Sequence, residues 1–376
     1  MNKEIKKGLV PVLRFPEFSE KLKNCVISDF AHVTTGNKDT QNKVDNGDYP
    51  FFVRSQTVER INSFSYDGEA ILTSGDGVGV GKNFHYIVGK FDFHQRVYCI
   101  YNFDKTVSGK FIYQYFSENF YKREIQLSAK NSVDSVRMSM ITEMPISLPE
   151  LPEQTKIAAC LSSLDDLITA QTQKIEALKT HKKGLMQQLF PQEGETVPKL
   201  RFPEFLDSGE WVQKTIDKWL TIGNGKDYKH LSKGNVPVYG TGGYMLSVDD
   251  YLYDGESVCI GRKGTINNPM FLNGKFWTVD TLFYTHSFKG CLPKFIYLIF
   301  QNINWLNHNE AGGVPSLSKT NIGKIEIAVP SEEEQQKIAD CLSSLDDLIN
   351  AHVKKCELLK IHKKGLMQGL FPSSNE

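Results

Sequence analysis

A 36-residue stretch that occurs twice constrains this chain more than any other feature. Residues 156–191, KIAACLSSLDDLITAQTQKIEALKTHKKGLMQQLFP, return as residues 337–372, KIADCLSSLDDLINAHVKKCELLKIHKKGLMQGLFP, with 27 of 36 positions identical at an offset of 181. A second echo opens each half: VPVLRFPEF at 10–18 against VPKLRFPEF at 197–205, an offset of 187. Between these bookends the halves diverge, sharing only fragments such as YDGE from Tyr66 and Tyr253 and GKF from Gly89 and Gly274. A duplicated frame therefore carries two different inserts.

The repeated stretch reads as a long amphipathic helix. Its apolar positions alternate steps of four and three, at Ile157, Leu161, Leu164, Ile168, Ile175, Leu178, Leu185 and Leu189, with Gln171 and Lys182 in the skipped places. The second copy repeats the seam at Ile338, Leu342, Leu345, Ile349, Cys356, Leu359, Leu366 and Leu370, interrupted by His352 and Lys363. Each helix is expected to begin after a proline, Pro152 or Pro330, with first-turn glutamates that suit the helix dipole, and to stop before Phe-Pro. A seam this long needs another helix to cover it. The two copies are expected to form an antiparallel coiled coil with the inserts at opposite ends, and the polar breaks to fix register or leave a docking surface. Asp165-Asp166 and Asp346-Asp347 are assigned to the solvated face away from the seam.

Length and charge limit the rest. A chain of 376 residues accommodates two domains, each with its own core. No stretch reaches the 18 or more apolar residues of a membrane span. The lysine-rich start, residues 1–7, has no apolar segment behind it, so no secretory signal is read and a cytoplasmic location is expected. Seven cysteines without a C-x-x-C read as reduced, packed thiols. The 44 basic and 44 acidic residues cancel, and they nearly cancel within residues 1–150 (19 against 18) and 194–331 (14 against 13). Any nucleic-acid surface must be a local concentration of charge.

Both inserts read as β-rich. Strands are expected at 26–35, 49–54, 69–73, 83–88 and 95–101, and again at 237–239, 257–260, 269–272 and 278–285, with helices at 110–124 and 293–306. The fold class is α+β. Gly75-Asp-Gly-Val-Gly-Val-Gly81-Lys82 lacks the glycine spacing, the following Ser or Thr and the helix of a phosphate loop. Asn268-Pro269-Met270-Phe271 lacks the second proline of the motif that holds a target base in amino-methyltransferases, and reads as a turn. The nine histidines show no metal-ligand spacing, so neither metal nor cofactor is expected. Two polar, glycine-rich loops remain, 72–83 and 260–266. Either they are hairpin turns with exposed charge, or their basic and hydroxyl side chains meet phosphates and base edges.

The run GGVPSLSKTNIGKIEIAVPSEEEQQKIADCLSSLDDLI (312–349) followed by HKKGLMQGLFP closely resembles the end of a target-recognition domain and the conserved helix of type I restriction-modification specificity subunits. PKLRFPEF with Trp211 downstream and VPVYGTGG (236–243) also look like that family. The first half matches more weakly, with the Leu-Ser-Lys-Thr run altered and Cys25 where tryptophan is usual. The resemblance implies two recognition domains in pseudo-twofold arrangement (1–150 and 194–331), each followed by a long helix (151–193 and 332–376). It implies a subunit that is itself non-catalytic and binds double-stranded DNA at an asymmetric bipartite target. Its helices would set the unread gap and dock two methyltransferase subunits, with restriction and translocase subunits as further partners and no membrane. Adenine methylation from S-adenosylmethionine and ATP-driven translocation would belong to those partners. Candidate DNA contacts are Arg54, Ser55, Gln56, Ser74, Lys82 and Arg137 in the first half, and Tyr239, Thr241, Arg262, Lys263, Ser318 and Lys319 in the second. A coiled-coil adaptor with two protein-binding modules is the competing class, and a standalone nucleic-acid enzyme, lacking any catalytic motif, the third.

Overall fold

A computed structural model describes residues 10–127, 135–192 and 194–372. The lysine-rich start and residues 131–134, part of the weaker first-half match, lie outside the described residues. The chain divides into two compact units, one of residues up to Thr172 together with those from Lys354 on, the other spanning Gln173–Val353. Both long helices are thus shared between the units. Among the described residues no helix is long and apolar enough to cross a membrane.

In the first unit, β1 (Lys23–Val26), β2 (His32–Thr35), β3 (Tyr49–Phe52), β4 (Glu59–Ile61), β5 (Tyr66–Ser74), β6 (Phe84–Phe93) and β7 (Val97–Tyr101) precede helix α1 (Gly109–Leu127), the short α2 (Met138–Thr142), β8 (Pro145–Leu148) and the long α3 (Leu151–Leu189). Six strands form one sheet in the order β2-β7-β5-β6-β3-β4, with only β3 and β6 parallel. β1 pairs with β8 beside it. Alternation along β5 sends Ile71 to one face, where Phe111, Ile112, Phe116 and Phe120 of α1 cover it. Ala70 and Leu72 go to the other face, packed with Phe52, Phe91 and Cys99.

The second unit repeats this path. Here β9 (Val212–Thr215), α4 (Ile216–Trp219), β10 (Thr221–Asn224), β11 (Lys233–Gly240), β12 (Gly243–Val248), β13 (Tyr253–Asp254), β14 (Ser257–Gly261), β15 (Met270–Leu272), β16 (Lys275–Thr278) and β17 (Leu282–His286) lead to α5 (Pro293–Asn302), α6 (Lys319–Lys324), β18 (Glu326–Val329) and the long α7 (Glu332–Leu370). Two four-stranded sheets, β10-β17-β14-β15 and β12-β11-β16-β13, replace the single six-stranded one. The surviving sequence fragments mark the break. The glycines of YDGE and GKF face each other across the same hairpin in both units, Gly68 opposite Gly89 in the ladder and the Gly255 N–H donating to Gly274 O at 3.2 Å. Gly89 and Gly274 hold positive φ of 123° and 86°, where a side chain would strain the backbone. The first hairpin runs through this point as two long strands, whereas the second breaks into β13/β14 and β15/β16.

The strand expected over 26–35 is split by a 3-10 turn at Ile27–Asp29, and that over 278–285 by the turn between β16 and β17. The other expected strands are present with shifted ends, but β4, β8, β9, β10, β12, β13, β18 and the short helices α2, α4 and α6 were not foreseen. The helix expected over 293–306 ends at Asn302, followed by a 3-10 turn at Trp305–His308. α3 starts one residue before Pro152, not after it.

Each of α3 and α7 is 39 residues long, roughly 58 Å at the standard rise. All sixteen seam residues are buried or half-buried. In the first unit Leu161 shares a core with Leu366, Met367 and Leu370, and Thr172 Oγ1 approaches Cys356 Sγ at 3.8 Å. In the second, Leu185 and Leu189 share a core with Ile338 and Leu342. Ascending numbers on one helix meet descending numbers on the other, so the pairing within each unit is antiparallel. The lysine breaks are filled by ion pairs: Lys363 Nζ to Asp165 Oδ1 at 2.6 Å and Lys182 Nζ to Asp346 Oδ1 at 2.7 Å. This corrects the placement of Asp165 and Asp346 on the solvated face. They border the seam, and only Asp166 and Asp347 are exposed.

The bookends have a structural cause. Arg14 forks onto Glu153 through Nε and Nη2 at 2.8 and 2.7 Å, and Arg201 onto Glu334 at 2.7 and 2.6 Å. The next residue of each helix is a buried glutamine. Gln154 accepts from Ser108 N–H and donates to Pro149 O, and Gln335 accepts from Leu292 N–H and donates to Pro330 O. Leu13 N–H donates to Gly369 O as Leu200 N–H does to Gln188 O, both at the C-terminal end of a long helix. Each LRFPEF segment thus ties the end of one long helix to the start of the other.

Candidate nucleic-acid interface

In both units one joint presents the candidate residues. The loop after β5 is tied on both sides: Gly75 N–H donates to Arg96 O at 2.8 Å, and Val136 N–H donates to Gly75 O at 2.7 Å. In the second unit Arg262 N–H donates to Thr281 O at 2.7 Å, and Leu317 N–H donates to Arg262 O at 2.9 Å. Isolated bridges, Asp76 to Ser135 and Lys263 to Ser316, extend the joint by one residue. A hairpin loop is thereby fixed to the segment that enters α2 or α6. That gathers side chains from distant parts of the chain on a rigid edge.

Side chains at the joint differ between units. In the first, Asp76 receives Arg54 Nη1 at 2.8 Å and Arg96 Nη1 at 2.5 Å. Burial opposes ionisation of Asp76, but hydrogen bonds from both arginines and their charges outweigh it, so its pKa lies below the ordinary carboxylate value. Lys82, Gln56 and Arg137 are exposed on the same loops, and the half-buried Ser55 donates to Thr57 O. Ser74 must be corrected: it is 1% exposed and accepts from Asn83 Nδ2 at 3.1 Å, so its hydroxyl shapes the loop and cannot reach a ligand. The loop turns through a 3-10 segment, Gly77–Gly79, and enters a strand rather than a helix.

In the second unit Arg262, Lys263, Ser318 and Lys319 line one open cleft with Glu310 and Asn224. Ser318 caps α6, its Oγ accepting from Asn321 N–H at 3.2 Å, while its own N–H donates to Glu310 Oε1 at 2.7 Å. That backbone donor is the main reason the Glu310 carboxyl sits below its usual pKa. Gly264 turns the loop at a φ of +95°, and Thr241 Oγ1 lies 3.7 Å from where its Cβ would stand. Tyr239 is half-buried against the Cys259–Phe276 cluster, so its ring serves packing first. Sequence reading missed Asp76, Arg96 and Glu310. Asp76 lies in the loop 72–83 already singled out, but its role depends on Arg96, which only the pairing of β5 with β7 brings beside it.

Among the described residues no group of three or more His, Cys, Asp or Glu is arranged to hold a metal ion. Burial pushes the Cys99 and Cys259 thiols up to about 12, which makes them poor nucleophiles.

The family model described as "Type I restriction modification DNA specificity domain" matches the chain twice, over residues 19–180 and 209–360. The chain belongs to the type I restriction-modification specificity family. A putative type I restriction enzyme specificity subunit from Haemophilus influenzae is 21% identical over 326 residues, 81% of this chain and 82% of that protein. The putative MjaX specificity subunit from Methanocaldococcus jannaschii is 27% identical over 65% of this chain and 62% of its own length. The Escherichia coli EcoDI specificity subunit is 27% identical over 48% of this chain and 39% of its own. The aligned part is therefore less than two thirds of the latter two. Among solved structures, the type I S subunit from M. genitalium matches with a TM-score of 0.69 at 18% identity, over 98% of this chain and all of that one, a likeness of fold. The two specificity-domain matches each include one strand-edge joint and most of one long helix.

Proposed function

We propose that this chain is the non-catalytic recognition subunit of a type I restriction-modification enzyme, and that each unit reads one half of an asymmetric bipartite target on double-stranded DNA. One observation carries the reading: the same joint is built twice, with Arg54, Asp76 and Arg96 in one unit and Thr241, Arg262 and Lys263 in the other. A shared scaffold bearing different donors and acceptors is what two different half-sites require, since bases are distinguished by such groups in the major groove. Family membership supports the assignment. The helix pair would set the unread gap and offer a docking surface to two methyltransferase subunits, with restriction and translocase subunits joining that assembly. Near-zero net charge fits a complex in which the partners provide much of the phosphate contact.

Co-expression with the cognate methyltransferase subunit tests this directly. The chain should co-purify with that subunit, and methylome sequencing should reveal adenine methylation at one bipartite motif that disappears when the chain is omitted. Methylation without a motif, or no stable complex, would return the chain to the adaptor reading.

A further inference from the structure

We propose that Asp76 is a positioning residue that holds Arg54 and Arg96 for guanine recognition, so that the half-site read by the first unit contains at least one guanine contacted by this pair. The inference deepens the proposed function and rests on it. One carboxylate accepts a single Nη1 from each arginine, at 2.8 and 2.5 Å. Among the described residues neither guanidinium makes a second side-chain hydrogen bond. Each therefore keeps its Nε and Nη2 donors on a plane already oriented by Asp76. Two parallel donors match the O6 and N7 acceptors of guanine in the major groove. The arginine side chains are 43% and 61% exposed while Asp76 is 20% exposed, so the carboxylate lies beneath and the guanidiniums face solvent.

Rigidity of the brace comes from the backbone. Gly75 is bonded to Arg96 O on one side and to Val136 N–H on the other, which anchors the base of Asp76. Gly79 packs against the same corner: a Cβ there would stand 3.0 Å from Arg54 O and closer still to Asn83 and Ser74. An arginine held in this way loses less side-chain entropy on binding than a free one. At the matching joint of the second unit, Lys263 stands in the bridge position of Asp76. A lysine there cannot brace Arg262 through an ion pair, so the two units should differ in how strictly they demand guanine.

The test is base discrimination by the complete chain with its methyltransferase subunit, measured on duplexes substituted at each position of the motif. Arg96→Ala, at an exposed side chain, should lose about 5- to 150-fold discrimination at one G·C pair of one half-site, leaving the other half-site unchanged. Asp76→Asn should relax the same half-site at the same positions, and Asp76→Glu should recover part of it. Arg262→Ala should alter only the opposite half-site. The proposal is overturned if the position altered by these first-unit variants is not a G·C pair, if Arg96→Ala and Arg54→Ala both keep wild-type preference at every position, or if Asp76→Asn weakens all sequences equally. A wild-type complex with no bipartite motif would overturn the function itself, a result distinct from these.

Discussion

Arg201 and Glu334 show what a buried ion pair demands of single residues. Their side chains are 7% and 1% exposed, so each has given up its water for the other's two hydrogen bonds. Removing one partner leaves a buried charge without compensation, whereas removing both leaves none. Arg201→Ala should lower the stability of the second unit by about 3–5 kcal/mol, and Arg201→Met with Glu334→Leu by clearly less. Urea unfolding followed by tryptophan fluorescence measures this, because all four tryptophans, Trp211, Trp219, Trp277 and Trp305, lie in that unit. Equal losses in single and double variants would contradict the account. Asp76 makes a prediction about pH. Its folded-state pKa is depressed, so its contribution is fully present above the ordinary value near 3.9 and is lost only as pH falls through the lower folded value. A carboxyl-detected NMR titration should therefore show Asp76 protonating below the ordinary aspartate value, and the arginine clamp intact at neutral pH.

At the scale of elements, the long helices combine an apolar seam with two ion pairs at its polar breaks. Leu161 is fully buried in the core of the first unit, and Leu161→Ala should cost about 2–5 kcal/mol by thermal or urea unfolding. The Lys182–Asp346 pair is different, since the Asp346 side chain is 40% exposed and well screened. Lys182→Met should cost about 1 kcal/mol or less. The pair matters more for alignment: a slip of the two helices would separate both Lys182 from Asp346 and Lys363 from Asp165. The strands show the converse case. Neither β4 nor β12 carries a strong local pattern, and each forms because β3 or β11 offers an edge to pair with.

At the scale of the whole molecule, the proposed function makes helix length a determinant of the DNA target. Inserting one heptad in both helices adds roughly 10 Å of rise, close to three base-pair steps. Methylome sequencing should find the gap longer by about three base pairs with both half-sites unchanged, and altered half-site bases would count against a spacer role. The duplication, the helix seam and the family were legible in the sequence because a 36-residue repeat with a regular apolar period is a strong local signal. Its paired lysines at Lys182 and Lys363 were visible too, but not their partners, since Asp165 and Asp346 lie one position beside the ideal seam. The recognition joint was half legible: Arg262 and Lys263 stood out as basic residues on a polar loop and Arg54 was named at the end of an expected strand, while Ser74 was misplaced and Asp76 and Arg96 went unread. What the sequence by itself determined is the frame, written in periodicity and repetition. Which residues meet at the joint was decided by tertiary structure alone, because a strand pairing, two backbone hydrogen bonds of Gly75 and one backbone bridge bring together Arg54, Asp76, Arg96 and Ser135 from four separate stretches of chain.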